Sequence, residues 1–154
     1  MYGYIRIQMQ TLIEWALSST TKKSRLIGFE DVLNAIKTPD NYVLINTLSL
    51  DKQDCLIQGT LSTYEEERFI NDSLTKYTDK PKQIVLYGSS SVDESPHRKY
   101  TQLLSLGINE VWIYSGGMFE WLLLQDIYGD GEFPTTRKEN DLLKWRPTIR
   151  WNRI

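Results

Sequence analysis

Cysteine and histidine each occur once in these 154 residues, as Cys55 and His97. A lone cysteine excludes an internal disulfide framework and fits a reducing, cytoplasmic setting. One Cys and one His also leave a zinc site short of ligands. No apolar run approaches the ~20 residues that span a bilayer, and the N-terminus lacks the charged, apolar and small-residue succession of a secretory signal. There is no internal repeat and no low-complexity tract. Net charge is only −2, which argues against a general polyanion binder. That balance is uneven, because residues 137–154 carry six Lys or Arg against two Asp or Glu. The acids Asp126, Asp130 and Glu132 lack EF-hand spacing, so no metal site is expected.

What is present is ordinary for one folded domain: 40% apolar and 25% charged residues, at a length that buries roughly two thirds of the unfolded surface. The chain is centred on Gln83 to Trp121. Ile84-Val85-Leu86-Tyr87 is a short apolar, β-prone run of the kind buried in a parallel sheet. Gly88 to Glu94 has no apolar periodicity and reads as a loop. Ser95-Pro96 predicts an N-cap followed by proline at the first helical position. Tyr100, Leu103 and Leu104 keep helical spacing, and Gly107 is placed to end that helix. Ile108 to Tyr114 reads as another strand. Ser115-Gly116-Gly117 allows a tight turn into a helix that begins Met118-Phe119-Glu120-Trp121.

Upstream, Met9, Leu12, Ile13, Ala16 and Leu17 predict an amphipathic helix that packs on the domain or on a partner. Arg25 to Ile27 reads as a short strand. A helix starts at Gly28, with Phe29, Val32, Leu33 and Ile36 on one face and the acids Glu30 and Asp31 at its favourable end. Tyr42 to Ile45 is a second buried strand. Ser62 or Thr63 caps the next helix, Glu65 or Glu66 closes the box, and Ile70, Leu74 and Tyr77 form its apolar face. Lys138 to Lys144 reads as a short helix before an aromatic-basic tail. Alternating strands and helices predict an α/β fold with a parallel sheet covered on both faces.

Over about residues 25–135 this order resembles the rhodanese-like domain family. The family's Gly-Gly-x-x-x-Trp stands intact as Gly116-Gly117-Met118-Phe119-Glu120-Trp121. Its other signatures have changed. The family opens its active-site loop with a nucleophilic cysteine, commonly as Cys-x-x-Gly-x-Arg, and the matching position here is Gly88. The family's Asp-x-Arg stands as Asn46 and Leu48. Its Gly-His-Ile-x-Gly-Ala stands as Cys55-Leu56-Ile57-Gln58-Gly59-Thr60, where Ile57 and Gly59 match. The resemblance implies a three-layer fold around a mostly parallel, five-stranded sheet, and no cofactor. Residues 1–24 then form an N-terminal helical segment and linker, 25–135 the domain, and 136–154 a basic-aromatic extension. Met118 to Thr136 also resembles rhodanese-like proteins encoded by large DNA viruses, whose setting would be a virion or the host cytoplasm.

Without the cysteine, the family's chemistry has no nucleophile. The resemblance therefore implies a catalytically inactive module for protein interaction or structure. The loop residues Gly88, Ser89, Ser90, Ser91 and Ser95, with His97 and Arg98, form either a plain polar loop or an anion-binding one at a helix N-terminus. Asp93 and Glu94 oppose anion binding. A serine nucleophile would need an adjacent base, and His97 is the one histidine. Cys55 reads as a small buried hydrophobe. The competing enzyme reading makes it a displaced sulfurtransferase nucleophile, or makes Gly88 to Ser95 a phosphoester-handling site. The long run from Gly88 to Gly107 looks like the phosphatase-type members. Trp145, Arg146, Arg150, Trp151 and Arg153 are of the types enriched in interface hot spots. They predict docking to a protein partner or packing back on the domain, with only a weak signal for nucleic acid.

Overall fold

The computed structural model describes residues 24–149. The expected helix over Met9 to Leu17 and the tail residues Arg150, Trp151 and Arg153 lie outside them. The order is β1 (Leu26–Ile27), α1 (Phe29–Lys37), β2 (Tyr42–Asn46), α2 (Thr63–Thr75), β3 (Gln83–Tyr87), α3 (Ser95–Ser105), β4 (Val111–Tyr114) and α4 (Gly117–Tyr128). Short 3₁₀ turns cover Leu50–Lys52 and Leu142–Trp145. The latter replaces the α-helix expected over Lys138 to Lys144.

The strands are short and strongly apolar because they are buried on both faces. They pair in parallel, in the order β1-β4-β3-β2. Tyr42 lies opposite Gln83 and Asn46 opposite Tyr87, while Ile84 lies opposite Val111 and Tyr87 opposite Tyr114. This register brings the C-terminal ends of β2, β3 and β4 level, so the loops that follow them meet at one edge. Leu44, Val85, Tyr87 and Tyr114 pack with Val32 and Ala35 of α1 and Met118, Trp121 and Leu122 of α4. On the opposite face, Val43, Ile45, Ile84, Leu86, Val111 and Ile113 pack with Tyr100 and Leu103 of α3, and Phe69 and Ile70 of α2 lie partly buried against them.

Three expectations are corrected. The sheet has four strands among the described residues, not five. The Cys55 to Thr60 segment keeps only single bridges, Thr60 to Leu44 in parallel and Ile57 to Thr135 antiparallel. The chain turns at Gly59, whose φ is +88°, and the Thr60 N–H donates to Ile57 O at 3.1 Å. That turn breaks the extension a fifth strand needs. The Tyr87 hydroxyl still holds the segment to the sheet, meeting Ile57 N at 3.2 Å and Thr60 Oγ1 at 2.7 Å. Second, Leu74 of α2 and Tyr77, which lies beyond the helix end, are not buried but 45% and 90% exposed. Ser62 and Glu65 form the expected reciprocal cap, and Phe69 with Ile70 makes the inward contact instead.

The third correction concerns Trp145, named among the partner-docking residues of a tail expected either to dock or to pack back on the domain. Its side chain is 0% exposed and sits in the same core as Trp121, Leu48 and Cys55. Thr136 N–H donates to Leu56 O at 2.8 Å, and Lys144 pairs with Asp54 at 3.1 Å, so the chain after α4 is fastened along the domain. Burying an indole outweighs leaving it in water, even though its Nε1–H finds no acceptor among the described residues. Trp145→Ala is expected to lower the unfolding free energy by about 3–5 kcal/mol. An unchanged denaturation midpoint would return Trp145 to the surface.

Candidate active-site loop

The loop runs from the end of β3 to the start of α3, where the family places its nucleophile. Glu94 is the N-cap of α3 and Ser95 its first residue, so the cap falls one position earlier than the one expected at Ser95. Pro96 follows in the first turn, where a missing N–H costs nothing. Two further elements close around the loop. From β2, Thr47 N–H donates to Tyr87 O at 2.9 Å, Thr47 Oγ1 and Ser95 Oγ are 2.8 Å apart, and Ser95 Oγ donates to Thr47 O at 3.1 Å. From α4, Met118 N–H donates to Gly88 O and Phe119 N–H to Ser89 O, each at 2.9 Å.

The Gly-Gly pair permits this second closure. Gly117 has φ +67°, and a Cβ there would lie 2.8 Å from Gly88 O and 2.9 Å from Ser90 N. Only glycine fits both the backbone angle and the approach. Four residues later, Trp121 is fully buried, edge-on to Tyr114 and Phe133, with Nε1 donating to Pro134 O at 3.3 Å. The motif thus anchors α4 and presents its first N–H groups to the loop.

Gly88, which the resemblance sets against the family's nucleophile, is buried and carries no side chain. The Asp93 carboxylate occupies that place. Its Oδ2 accepts from Ser89 N–H at 2.9 Å and from Ser89 Oγ at 3.1 Å, and its Oδ1 accepts from Ser95 N–H at 2.9 Å. A Cβ on residue 88 would overlap Oδ2 and lie 2.9 Å from Pro96 Cγ. Burial disfavours the Asp93 charge, but the N–H groups of Ser89 and Ser95 and the serine hydroxyls outweigh it and hold the carboxyl below the usual aspartate range. The loop is thus wrapped around an anion of its own.

An open cleft of about 730 Å³ lies beside it, lined by Leu48, Ser89, Ser90 and Asp93 and by the cations Lys52, Arg98, Lys144 and Arg146. Ser90 is buried and Ser91 exposed. His97 stands elsewhere: its Nδ1 is 3.1 Å from Ser24 Oγ, and with Thr101 it faces a separate hollow on α3. No histidine base therefore stands beside Ser89, Ser90 or Ser91. Ser89 spends its hydroxyl on Asp93, an acceptor too acidic to serve well as a base. Cys55 is buried, donates to Arg137 O at 3.2 Å, and has its thiol pKa pushed up, first by burial. It does not line the cleft. Asn46 Oδ1 accepts from Leu48 N–H at 3.1 Å, so the turn after β2 keeps its acceptor without the family's carboxylate. Leu48, in place of the arginine, joins the core.

Sequence reasoning missed Lys52 and Lys144 at the cleft and saw Asp93 only as a charge opposed to anions. Its position two residues before the first residue of α3 was the available signal, since Asp there can reach the first free N–H groups.

The profile described as Rhodanese-like domain matches residues 45–124, just over half of the chain. The chain belongs to the rhodanese-like domain family. No curated protein matches it. Among solved structures it is similar to a Saccharomyces cerevisiae protein described as a homolog of single-domain rhodanese and the Cdc25 phosphatase catalytic domain. The TM-score is 0.54 at 15% identity, with 82% of this chain and 95% of that one covered. Another structure, described as a yeast protein tyrosine phosphatase of the Rhodanese family, gives 0.53 at 16% identity, covering 81% and 100%. The BH2092 protein from Bacillus halodurans gives 0.50 at 19%, covering 79% and 80%. At these identities the likeness shows the rhodanese-like fold.

Two outcomes test the loop geometry. Gly88→Ala is expected to cost about 1–3 kcal/mol through overpacking, and to cost much less in an Asp93→Ala background, where the overlapping oxygen is gone. Additive losses across that cycle would place the carboxylate elsewhere. Because the folded-state pKa of Asp93 is lowered, its stabilisation is complete above the ordinary aspartate value of about 3.9 and fades as pH falls through the lower folded value. Asp93→Asn should therefore be less stable than wild type at neutral pH, and the gap should shrink on acidification. A pH-independent gap would contradict the assignment.

Proposed function

We propose that this rhodanese-like domain performs no thiol chemistry and acts as a protein-interaction or structural module. The observation that carries the reading is the Asp93 carboxylate, held by Ser89 and Ser95 at the place of the family's nucleophile, next to a glycine with no room for a side chain. A sulfurtransferase needs an accessible thiolate, and Cys55 is buried, raised in pKa and outside the cleft. A phosphatase of this fold needs the same kind of nucleophile, and an aspartate pinned by three donors is a poor one.

The contact surface we assign lies in the flanking segments, residues 1–17 and the chain after Trp145. Arg146 and Ile149 are exposed, and Arg146 reaches the rim of the cleft. Arg150, Trp151 and Arg153 continue that basic-aromatic run. Trp145, by contrast, secures the base of this segment.

The test is turnover of thiosulfate and of p-nitrophenyl phosphate by the purified wild type beside Cys55→Ser. Neither protein should turn over either substrate above buffer. Wild-type activity abolished in Cys55→Ser would overturn the reading and make this a sulfurtransferase. On the binding side, deleting residues 147–154 should weaken capture of a partner and leave the melting temperature within about 2 °C. Equal capture by this truncation and by one lacking residues 1–17 would remove both surfaces.

A further inference from the structure

We propose that Asp93 is a tethered anion that fills the loop's own donor set and keeps free oxyanions out, an autoinhibitory contact built into the fold. The inference rests on the non-catalytic reading above and deepens it. Backbone N–H groups at a helix start attract an anion whatever its source. Here Ser89 N–H, Ser89 Oγ–H and Ser95 N–H converge on one carboxylate, at 2.9, 3.1 and 2.9 Å. The same carboxylate occupies the space that a side chain at residue 88 would need. The missing side chain and the inserted carboxylate are therefore one steric and electrostatic substitution.

A tethered group competes with solute at an effective concentration on the order of millimolar or above. A dilute phosphate or sulfate must displace Asp93 before it can reach those donors, and in doing so must bury two negative charges together. Other charges face the same cleft: Glu94 from the loop, Arg98 from α3, Lys52 from the turn after β2, and Lys144 and Arg146 from the segment after α4. Arg98 is paired with Glu94 and Lys144 with Asp54 and Glu139, so Lys52 and Arg146 are the cleft cations that draw an oxyanion inward, and the Asp93 carboxylate bars the last step. The surroundings thus favour anions at the one spot where an internal anion already sits.

The experiment is a titration of full-length, isotope-labelled protein with inorganic phosphate at constant ionic strength, followed at the backbone amides of Ser89 and Ser95. Wild type, Asp93→Ala and Asp93→Asn are compared. Asp93→Ala should show saturable shifts at both amides, with binding at least about tenfold tighter than wild type. Asp93→Asn keeps an oxygen for Ser95 N–H but loses the charge, so it should fall between them. Equal binding by wild type and Asp93→Ala, or no response at those amides in Asp93→Ala, overturns the proposal. If Asp93→Ala fails to fold, Asp93→Asn decides: shifts at Ser89 and Ser95 beyond those of wild type support the contact, and none overturns it. The outcomes separate from those above. Silent amides remove the autoinhibitory contact and leave the non-catalytic reading standing, whereas wild-type turnover of thiosulfate sinks that reading whatever the amides do.

Discussion

A carboxylate held by backbone N–H groups, Asp93 against Ser89 and Ser95, is the constraint on which one end of this molecule depends. A helix start leaves N–H groups without partners, and a loop that closes over them must supply an acceptor or admit one. Asp93 supplies it from within. The choice propagates outward. Residue 88 must lack a Cβ. Ser89 and Ser95 must face the same point, and Thr47, just after β2, holds Ser95 there. The loop carbonyls are then turned toward α4, where Met118 and Phe119 meet them.

Beneath that end lies a packed aromatic core. Trp121 lies edge-on to both Tyr114 and Phe133, and Phe133 also meets Phe29 of α1 and Tyr128 of α4. Trp145 joins the same core from the chain's far end. A packed scaffold of this kind positions the loop whether or not chemistry follows.

The strands were legible because a parallel sheet buries both faces, so each strand reads as an apolar run. Gly107 and Gly117 marked turns at positive φ, a conformation that favours glycine. The reciprocal cap of Ser62 and Glu65 was local and therefore readable. What stayed hidden was long-range. Packing back is one of two open readings for Trp145, but nothing near it in the chain picks out Leu48 and Cys55 as its neighbours. The loss of a fifth strand hangs on how Gly59 sits against the edge of β2. Leu74 and Tyr77 keep helical spacing, yet the helix turns Phe69 and Ile70 inward instead and ends at Thr75, before Tyr77. At the candidate site the family pattern exposed the loss at Gly88, whereas the gain at Asp93 needed the loop closed in space.

The measurement that tests the central claim most directly is the titration of the Asp93 side-chain carboxyl carbon by NMR in the wild-type protein, with the Ser89 and Ser95 amides followed in parallel. The account predicts a midpoint below the ordinary aspartate value and both amides shifting at that same pH, because one carboxylate holds both. An ordinary or raised midpoint, or amides that ignore the titration, would contradict it and leave the loop an empty cradle.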